Sequence, residues 1–250
     1  MESLNKDYKR LSETIFKRKA VRAYSERPCE LLDGDADLAE AFGVQPLVDG
    51  IKAKVKVLKE REVKNKRSDY CIAFYSEDKP LSLENIGFIG QQLELELQSR
   101  GLGTCWWGMK KPKKDYKAVD ELDCVITMTA GYPKSDEARA YPDDFKRKTA
   151  KDIIIGGTEP DNLIEAARIA PSAMNLQPWL IEKIGNRYDF YLRPPKGFME
   201  KLMGNMRRID MGIAMAHLFC RAKANGSDVS FSFDGNHKTE GTYIASIIAE

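Results

Sequence analysis

Only two histidines occur in the chain, His217 and His237. That is a thin supply for a histidine-based zinc site or a catalytic triad. The five cysteines, at 29, 71, 105, 124 and 220, are odd in number and form no C-x-x-C pair. Neither a disulfide framework nor a structural zinc site is expected, and a reducing cytoplasm is the expected compartment. No apolar run approaches the roughly 18 residues of a membrane span. The opening stretch MESLNKDYKRLSE is polar and mixed in charge, unlike a signal peptide. Net charge is scarce too: 40 Lys and Arg meet 38 Asp and Glu, leaving +2. Such a balance gives no general attraction to nucleic acid or an anionic membrane.

What is present is ordinary globular material. The chain has 250 residues, 42% of them hydrophobic. That excludes disorder as the main state and allows one large domain or two small ones. Leu4, Tyr8, Leu11 and Ile15 share one face of a helix over 3–18. A weaker helix is expected over 30–42, and strands over 54–58 and 70–75. The charged stretch 59–67 between them reads as a solvated loop or hairpin tip. Residues 82–100 form the clearest helix, with Ser82 as its expected N-cap and Gly101 as its stop. A strand over 125–129 runs into Gly131-Tyr132-Pro133, and a polar arm follows to 148. The later elements repeat this scheme. A helix over 159–167 is ended by Pro171. Strands over 179–183 and 188–192 flank the hairpin signal Gly185-Asn186. A helix over 207–224 stops at Asn225-Gly226, and strands follow over 229–233 and 243–248.

The repetition leaves local marks. Gly87 to Gly101 spans 14 positions, as does Gly212 to Gly226, and each pair brackets an apolar helix. Gln45-Pro46 recurs as Gln177-Pro178, and FKRK occurs at 16–19 and at 145–148. These echoes point to a duplicated module, residues 1–150 and 151–250, packed as one compact unit that imitates a two-fold dimer within one chain.

Four blocks stand out, Arg18 to Tyr24 (RKAVRAY), Ala170 to Trp179, Gly101 to Trp106, and Gly131-Tyr132-Pro133 with the later FKRK, and together they resemble the signatures of the FMN-dependent nitroreductase family. Arg18-Lys19-Ala20-Val21-Arg22-Ala23-Tyr24 resembles its N-terminal basic signature. Ala170 to Trp179 (APSAMNLQPW) is similar to its second signature and is the most specific match. Gly101 to Trp106 (GLGTCW) resembles the third, and Gly131-Tyr132-Pro133 with the later FKRK resembles the C-terminal end. The resemblance covers most of the chain. It implies an α+β fold of nitroreductase type, a three-layer α/β/α arrangement. Each of the two pseudo-symmetric halves would have a mixed sheet and a long central helix. The order of the blocks departs from the ordinary family, in which the APS-like block follows the basic signature closely. Here it appears only at 170, so the chain resembles the branch with two family-like halves in one polypeptide. The first half would then supply the basic residues and the second the facing turn. One FMN per chain follows, held by a monomer.

The resemblance also assigns roles. The phosphate of FMN needs cations, and Arg18, Lys19 and Lys148 are the candidates, Arg18 first because its planar fork suits phosphate. Where the family often has a serine hydroxyl, this chain has Ala20. Arg22 would approach the ring edge that gains negative charge on reduction. Pro171, Ser172, Ala173 and Asn175 would form one wall of the flavin site. Thr104, Trp107 and Gly108 would pass along the other side, with Trp107 either stacked near the ring or filling the core. Cys105 is read as an inert buried thiol. The Lys110, Lys111, Lys113 and Lys114 run is read as solvated, with attraction of a nicotinamide phosphate as its other reading. No side chain is assigned as a catalytic acid or base, and no metal is expected. The implied activity is ping-pong transfer of hydride from NADH or NADPH to a nitroaromatic or quinone-like acceptor. The other reading is a degenerate member that binds flavin, or a similar planar anion, without turnover.

Overall fold

A computed structural model of the chain describes residues 6–59, 62–63, 68, 70–108, 112–135, 145–157, 159–235 and 241–250. His237, Lys110, Lys111, and parts of the 59–67 stretch and of the arm before 145 lie outside the described residues. Helix α1 (Tyr8–Ile15) is followed by the one-turn α2 (Leu38–Ala41), then strands β1 (Ala53–Lys59) and β2 (Tyr70–Ser76). The long helix α3 (Ser82–Ser99) leads into β3 (Gly103–Trp107), β4 (Ala118–Val119) and β5 (Leu122–Gly131). Then come α4 (Ala150–Ile153), β6 (Ile154–Ile155), α5 (Asn162–Arg168), β7 (Trp179–Ile184) and β8 (Arg187–Leu192). Helices α6 (Phe198–Leu202) and α7 (Gly204–Ala224) precede β9 (Val229–Ser232) and β10 (Thr242–Ala249).

These elements form a mixed α+β fold with two five-stranded sheets. The first has the order β1-β2-β5-β3, with β4 also on β5. The second has the order β7-β8-β10-β9, with β6 added outside β7. Strand order is therefore the same in both sheets once β4 and β6 are set aside. The first sheet's ladders are antiparallel, joined by one isolated parallel bridge of Ala20 to Thr104. The second sheet is mixed, because β6 runs parallel to β7. β6 follows α4 directly and adds to the edge of the second sheet.

Helix α3 packs on β2 and β3, α7 packs on β7 to β10, and the two helices pack on each other. Their contact is close because glycines face backbone. A Cβ on Gly87 would overlap the Ile209 carbonyl and lie 3.1 Å from the Ile213 nitrogen. A Cβ on Gly212 would overlap the Glu84 carbonyl and lie 2.7 Å from the Phe88 nitrogen. The contact is reciprocal, since each glycine meets the residue three before the other and the residue one after it. Helix α3 is buried on nearly every face, as expected for a helix enclosed by neighbours. One core of apolar side chains runs through both sheets and both helices, with Trp179 fully buried within it.

Several boundaries differ from the sequence reading for local reasons. The expected 30–42 helix is a 3-10 turn, Glu30–Leu32, and the separate α2, divided where Gly34 takes a φ of +129°. Ser82 is not a cap; Leu81 occupies that position with a φ of +68°, and no side chain caps the helix. Gly101 and Gly226, at φ +83° and +86°, end α3 and α7 as expected. Among the described residues no helix is long and apolar enough to cross a membrane.

Candidate functional site

The segment 17–22 alternates its side chains between two cavities, as an extended chain must. Arg18, Ala20 and Arg22 line one cavity of about 300 Å³. Lys17, Lys19 and Val21 line a second, of about 340 Å³, on the opposite side, and Arg18 reaches both. The segment is held by the Ala20–Thr104 bridge and by the Val21 N–H bonded to the Thr104 carbonyl at 2.9 Å.

The first cavity is assembled from distant parts of the chain. The 18–22 segment and Cys105 to Gly108 form one side, and Pro171 to Met174 face them. Met203, just before α7, and Met206, Ile209, Asp210 and Ile213 from its first turns close another side. Glu94 of α3 and Ile126 of β5 complete it. The structure thus brings together Arg18, Arg22, Trp107, Gly108, Pro171, Ser172 and Ala173. It does not bring Lys19, Thr104, Lys148 or Asn175 into the cavity wall.

Those four have other work. The Lys19 backbone N–H and carbonyl bond the Gln98 amide at 3.1 Å each, and its side chain faces the second cavity. Thr104 is fully buried behind the wall; its hydroxyl donates to Glu94 at 3.2 Å and accepts from Gln98 at 2.7 Å. The Lys148 Nζ donates to the carbonyls of Leu176 and Gln177 at 2.7 and 3.1 Å. Burial holds its pKa below the usual lysine range, and Arg193 pushes the same way. Asn175 is exposed and ties the turn to the 145–148 block, accepting from Arg147 at 2.8 Å and donating to the Lys146 carbonyl at 2.8 Å.

That turn is an unusual stretch of backbone. Met174, Asn175 and Gln177 all take left-handed φ values, +51°, +57° and +49°. Non-glycine residues held there cost on the order of 1–3 kcal/mol each, and persist only where their surroundings fix them. Four groups do so here. Asp210 accepts the Ala173 N–H, and the Ser172 Oγ accepts the Gln177 N–H at 2.9 Å. Arg147 donates to the Ala170 carbonyl at 2.9 Å, and Lys148 grips the far end. The second FKRK copy is therefore a brace for the turn, which its composition alone did not reveal.

Two acidic residues in the wall went unnoticed in the sequence. Glu94 is fully buried and pairs with buried Arg18, Oε1 lying 3.2 Å from Nε and 3.0 Å from Nη2. The amides of Gln91 and Gln98 also donate to it. Arg22 is exposed at the cavity and makes no ion pair among the described residues. Asp210 is buried, and desolvation pushes its pKa up to about 8, against the Ala173 N–H and the Arg207 charge. His217, two turns further along α7, is driven down to about 3, chiefly by burial, with the Arg18 and Arg147 charges adding to that fall and the Ala166 carbonyl opposing it. It bonds Gln91 at 3.0 Å and the Ala166 carbonyl at 2.9 Å. Both acids were signalled only as charges inside apolar helical runs, LELEL and RIDMGIAM.

The wall suits a flat aromatic ligand with a polar rim. Trp107, Ile126, Met206, Ile209 and Ile213 are apolar, and the volume falls at the low end of ligand pockets, roughly 300–1,000 Å³. Gly108 keeps the wall open, since a Cβ there would lie 2.6 Å from the Met206 sulfur. For an attached phosphate the donor set is leaner. Glu94 takes two of the five N–H groups of the Arg18 fork, and Ala20 offers no hydroxyl. Arg22 adds a second cation. The residues therefore fit an isoalloxazine ring, with arginine cations for its charged edge and tail. Among the described residues no cluster of three or more His, Cys, Asp or Glu could hold a metal.

Comparison with known proteins gives a family and a fold. A family model described as "Putative TM nitroreductase" matches residues 10–222. The structure of a protein from Thermotoga maritima, described as a putative nitroreductase, superposes with a TM-score of 0.63 at 21% identity, covering 95% of this chain and 93% of that one. A putative NADH dehydrogenase/NAD(P)H nitroreductase from Parabacteroides distasonis gives 0.45 at 19% identity, covering 59% of this chain and 98% of that one. An FMN-dependent nitroreductase from Clostridium difficile gives 0.44 at 16%, with 60% and 98% covered. No curated protein matches the chain.

Proposed function

The chain belongs to this nitroreductase family, and we propose that it is an FMN-dependent NAD(P)H oxidoreductase whose single site is built between two halves of one chain. The halves are residues 1–150 and 151–250, related as the subunits of a two-fold dimer, and the protein works as a cytoplasmic monomer. One observation carries the reading: the cavity draws one wall from 18–22 and 105–108 and the facing wall from 171–174 and α7. The reciprocal Gly87 and Gly212 contacts and the shared strand order support the two-fold relation.

Bound FMN supplies the redox chemistry, ping-pong passage of hydride from NADH or NADPH to an electron-poor acceptor such as a nitroaromatic or quinone. Arg22 places positive charge at the rim, which favours the reduced ring. Arg18 offers the phosphate its remaining attraction across the Glu94 pair. Gly108, Pro171, Ser172 and Ala173 set how closely the backbone approaches, while Lys19, Thr104, Lys148 and Asn175 hold those segments in place. Met203 and Met206 exclude water and adapt to acceptors of different shape.

A second reading has its own support. The Arg18–Glu94 pair compensates the main phosphate cation, and Ala20 lacks a hydroxyl, as in a member that binds flavin without turnover. Absorbance of the purified protein, before and after anaerobic NADH or NADPH, separates the two. A yellow protein with one FMN per chain that bleaches supports the oxidoreductase. Bound flavin that never bleaches supports the second reading, and a colourless protein that takes up no added FMN refutes both.

A further inference from the structure

Asp210 lies in the cavity wall with both carboxylate oxygens on one donor, the Ala173 N–H, at 3.0 and 3.2 Å. No ion pair reaches it among the described residues. The other long helix provides an internal control. The reciprocal glycines set Asp210 against Asn85, each two residues before its glycine. Asn85 does the same structural work in the first half: its Oδ1 accepts the N–H groups of Leu47 and Val48 at 2.8 and 3.2 Å. Leu47 lies six residues before β1, as Ala173 lies six before β7. Gathering a loop N–H thus needs only an amide oxygen. A carboxyl in its place, on the side that carries the cavity, adds one property: it can hold and release a proton.

The groups around it leave that property to Asp210. Its own helix offers buried Arg207, which bonds the Arg193 carbonyl, and neutral His217 two turns on. The 18–22 segment offers Arg18 and Arg22, α3 offers Glu94 already engaged by Arg18, and β3 offers the Cys105 thiol. The 171–174 turn offers nothing ionisable.

We propose that Asp210 holds the second proton of the reaction: its carboxyl binds a proton more tightly when a ring in the cavity is reduced, and hands that proton to the acceptor on reoxidation. The proposal rests on reading the cavity as the flavin site. The balance is simple. Hydride from the nicotinamide donor brings two electrons and one proton, which leaves one negative charge in the cavity. A quinone-type acceptor then takes those two electrons and that proton, together with the carboxyl proton of Asp210. The carboxylate that remains rebinds a proton from water.

The test is the midpoint potential of bound FMN from pH 6.5 to 9.5, in the wild type and in Asp210→Asn. Asn keeps the acceptor for Ala173, as Asn85 does for Leu47. Below pH 8 the two potentials should run parallel. Above it, where Asp210 ionises, the wild type should fall further by about 30 mV per pH unit, the value of a tenfold change in a two-electron couple. A gap constant at every pH overturns the proposal and leaves Asp210 a structural acceptor. If the variant does not fold, the wild type alone still decides, because its potential must steepen above pH 8. No flavin uptake by the wild type overturns the site reading, and this proposal with it.

Discussion

Alanine at Gly87 or Gly212 tests the claim that the two long helices meet backbone to backbone. In an exposed helix the change would stabilise by about 1 kcal/mol, because alanine is the better helix former. Here the new methyl meets the Ile209 carbonyl in one helix or the Glu84 carbonyl in the other. No flexible side chain stands in its way to yield. The helices must move apart by about 1 Å, and a gap of that size forfeits roughly a quarter to a half of each dispersion contact along the seam. Overpacking costs about 1–3 kcal/mol even where neighbours can adjust. Each variant should therefore lose about 2 kcal/mol or more net, a large share of the ~5–15 kcal/mol that stabilises a domain. Urea unfolding would measure it. The double variant sharpens the test. If one methyl has already separated the helices, the second costs less, and the pair should be sub-additive by more than the ~0.5 kcal/mol expected of independent sites. Stability unchanged or raised in either single variant would refute the close contact.

Two further outcomes follow from the buried charges. Removing one partner of the Arg18–Glu94 pair, in Arg18→Met or Glu94→Gln, should cost about 3–5 kcal/mol, whereas Arg18→Met with Glu94→Leu should recover much of it; strictly additive losses in urea unfolding would contradict the pairing. Stability against pH should show two opposed contributions. His217 has a folded pKa of about 3 against 6.5, so its contribution grows as pH rises from 3 to 6.5. Asp210 has a folded pKa of about 8 against 3.8, so its contribution is present below 3.8 and is lost as pH rises to 8. The wild type should hold nearly level from about 4 to 6.5 and weaken from there to 8. His217→Gln should weaken continuously across both ranges, and Asp210→Asn should strengthen up to 6.5 and then stay level. Profiles unchanged by either substitution would refute these assignments.

The parts of the fold legible in the sequence were those with a strong local period or stop signal. Helices α3 and α7, strand β2 and the β7–β8 hairpin sit within a few residues of their expected positions. What stayed hidden depends on distant partners. Strand β6 has two residues and exists only because β7 lies beside it, so no period announces it. The 30–42 helix fails where Asp33-Gly34-Asp35 breaks its turn. The candidate site divides in the same way. The blocks at 18–22, 105–108 and 170–179 were visible as motifs, and eleven of their residues line the cavity. Glu94 and Asp210 were not, because helical period reports a face and not a depth, and α3 is buried on nearly every face. Lys148 and Asn175 are assigned as ligand contacts by the resemblance, one as a cation and one as an amide donor, yet Lys148 bonds the turn and Asn175 bonds the 145–148 block, so that the two segments tie each other.

The echo between the two long helices is most informative where it fails. Gly87 and Gly212 match because both must let a neighbouring backbone approach, a constraint that any two-fold packing of these helices imposes. Asn85 and Asp210 match in position and in accepting a loop backbone N–H, but only Asp210 can ionise. The Asn85 side has the loop around Gln45-Pro46, while the Asp210 side has the pinned turn and the cavity. Burial makes the ionised form costly, which is why the carboxyl holds its proton up to about pH 8, and an asparagine at 210 would serve the turn without carrying a proton at all. An ionisable group kept where the cavity is, opposite an amide where it is not, is what a site that must move protons requires and a merely structural duplication does not.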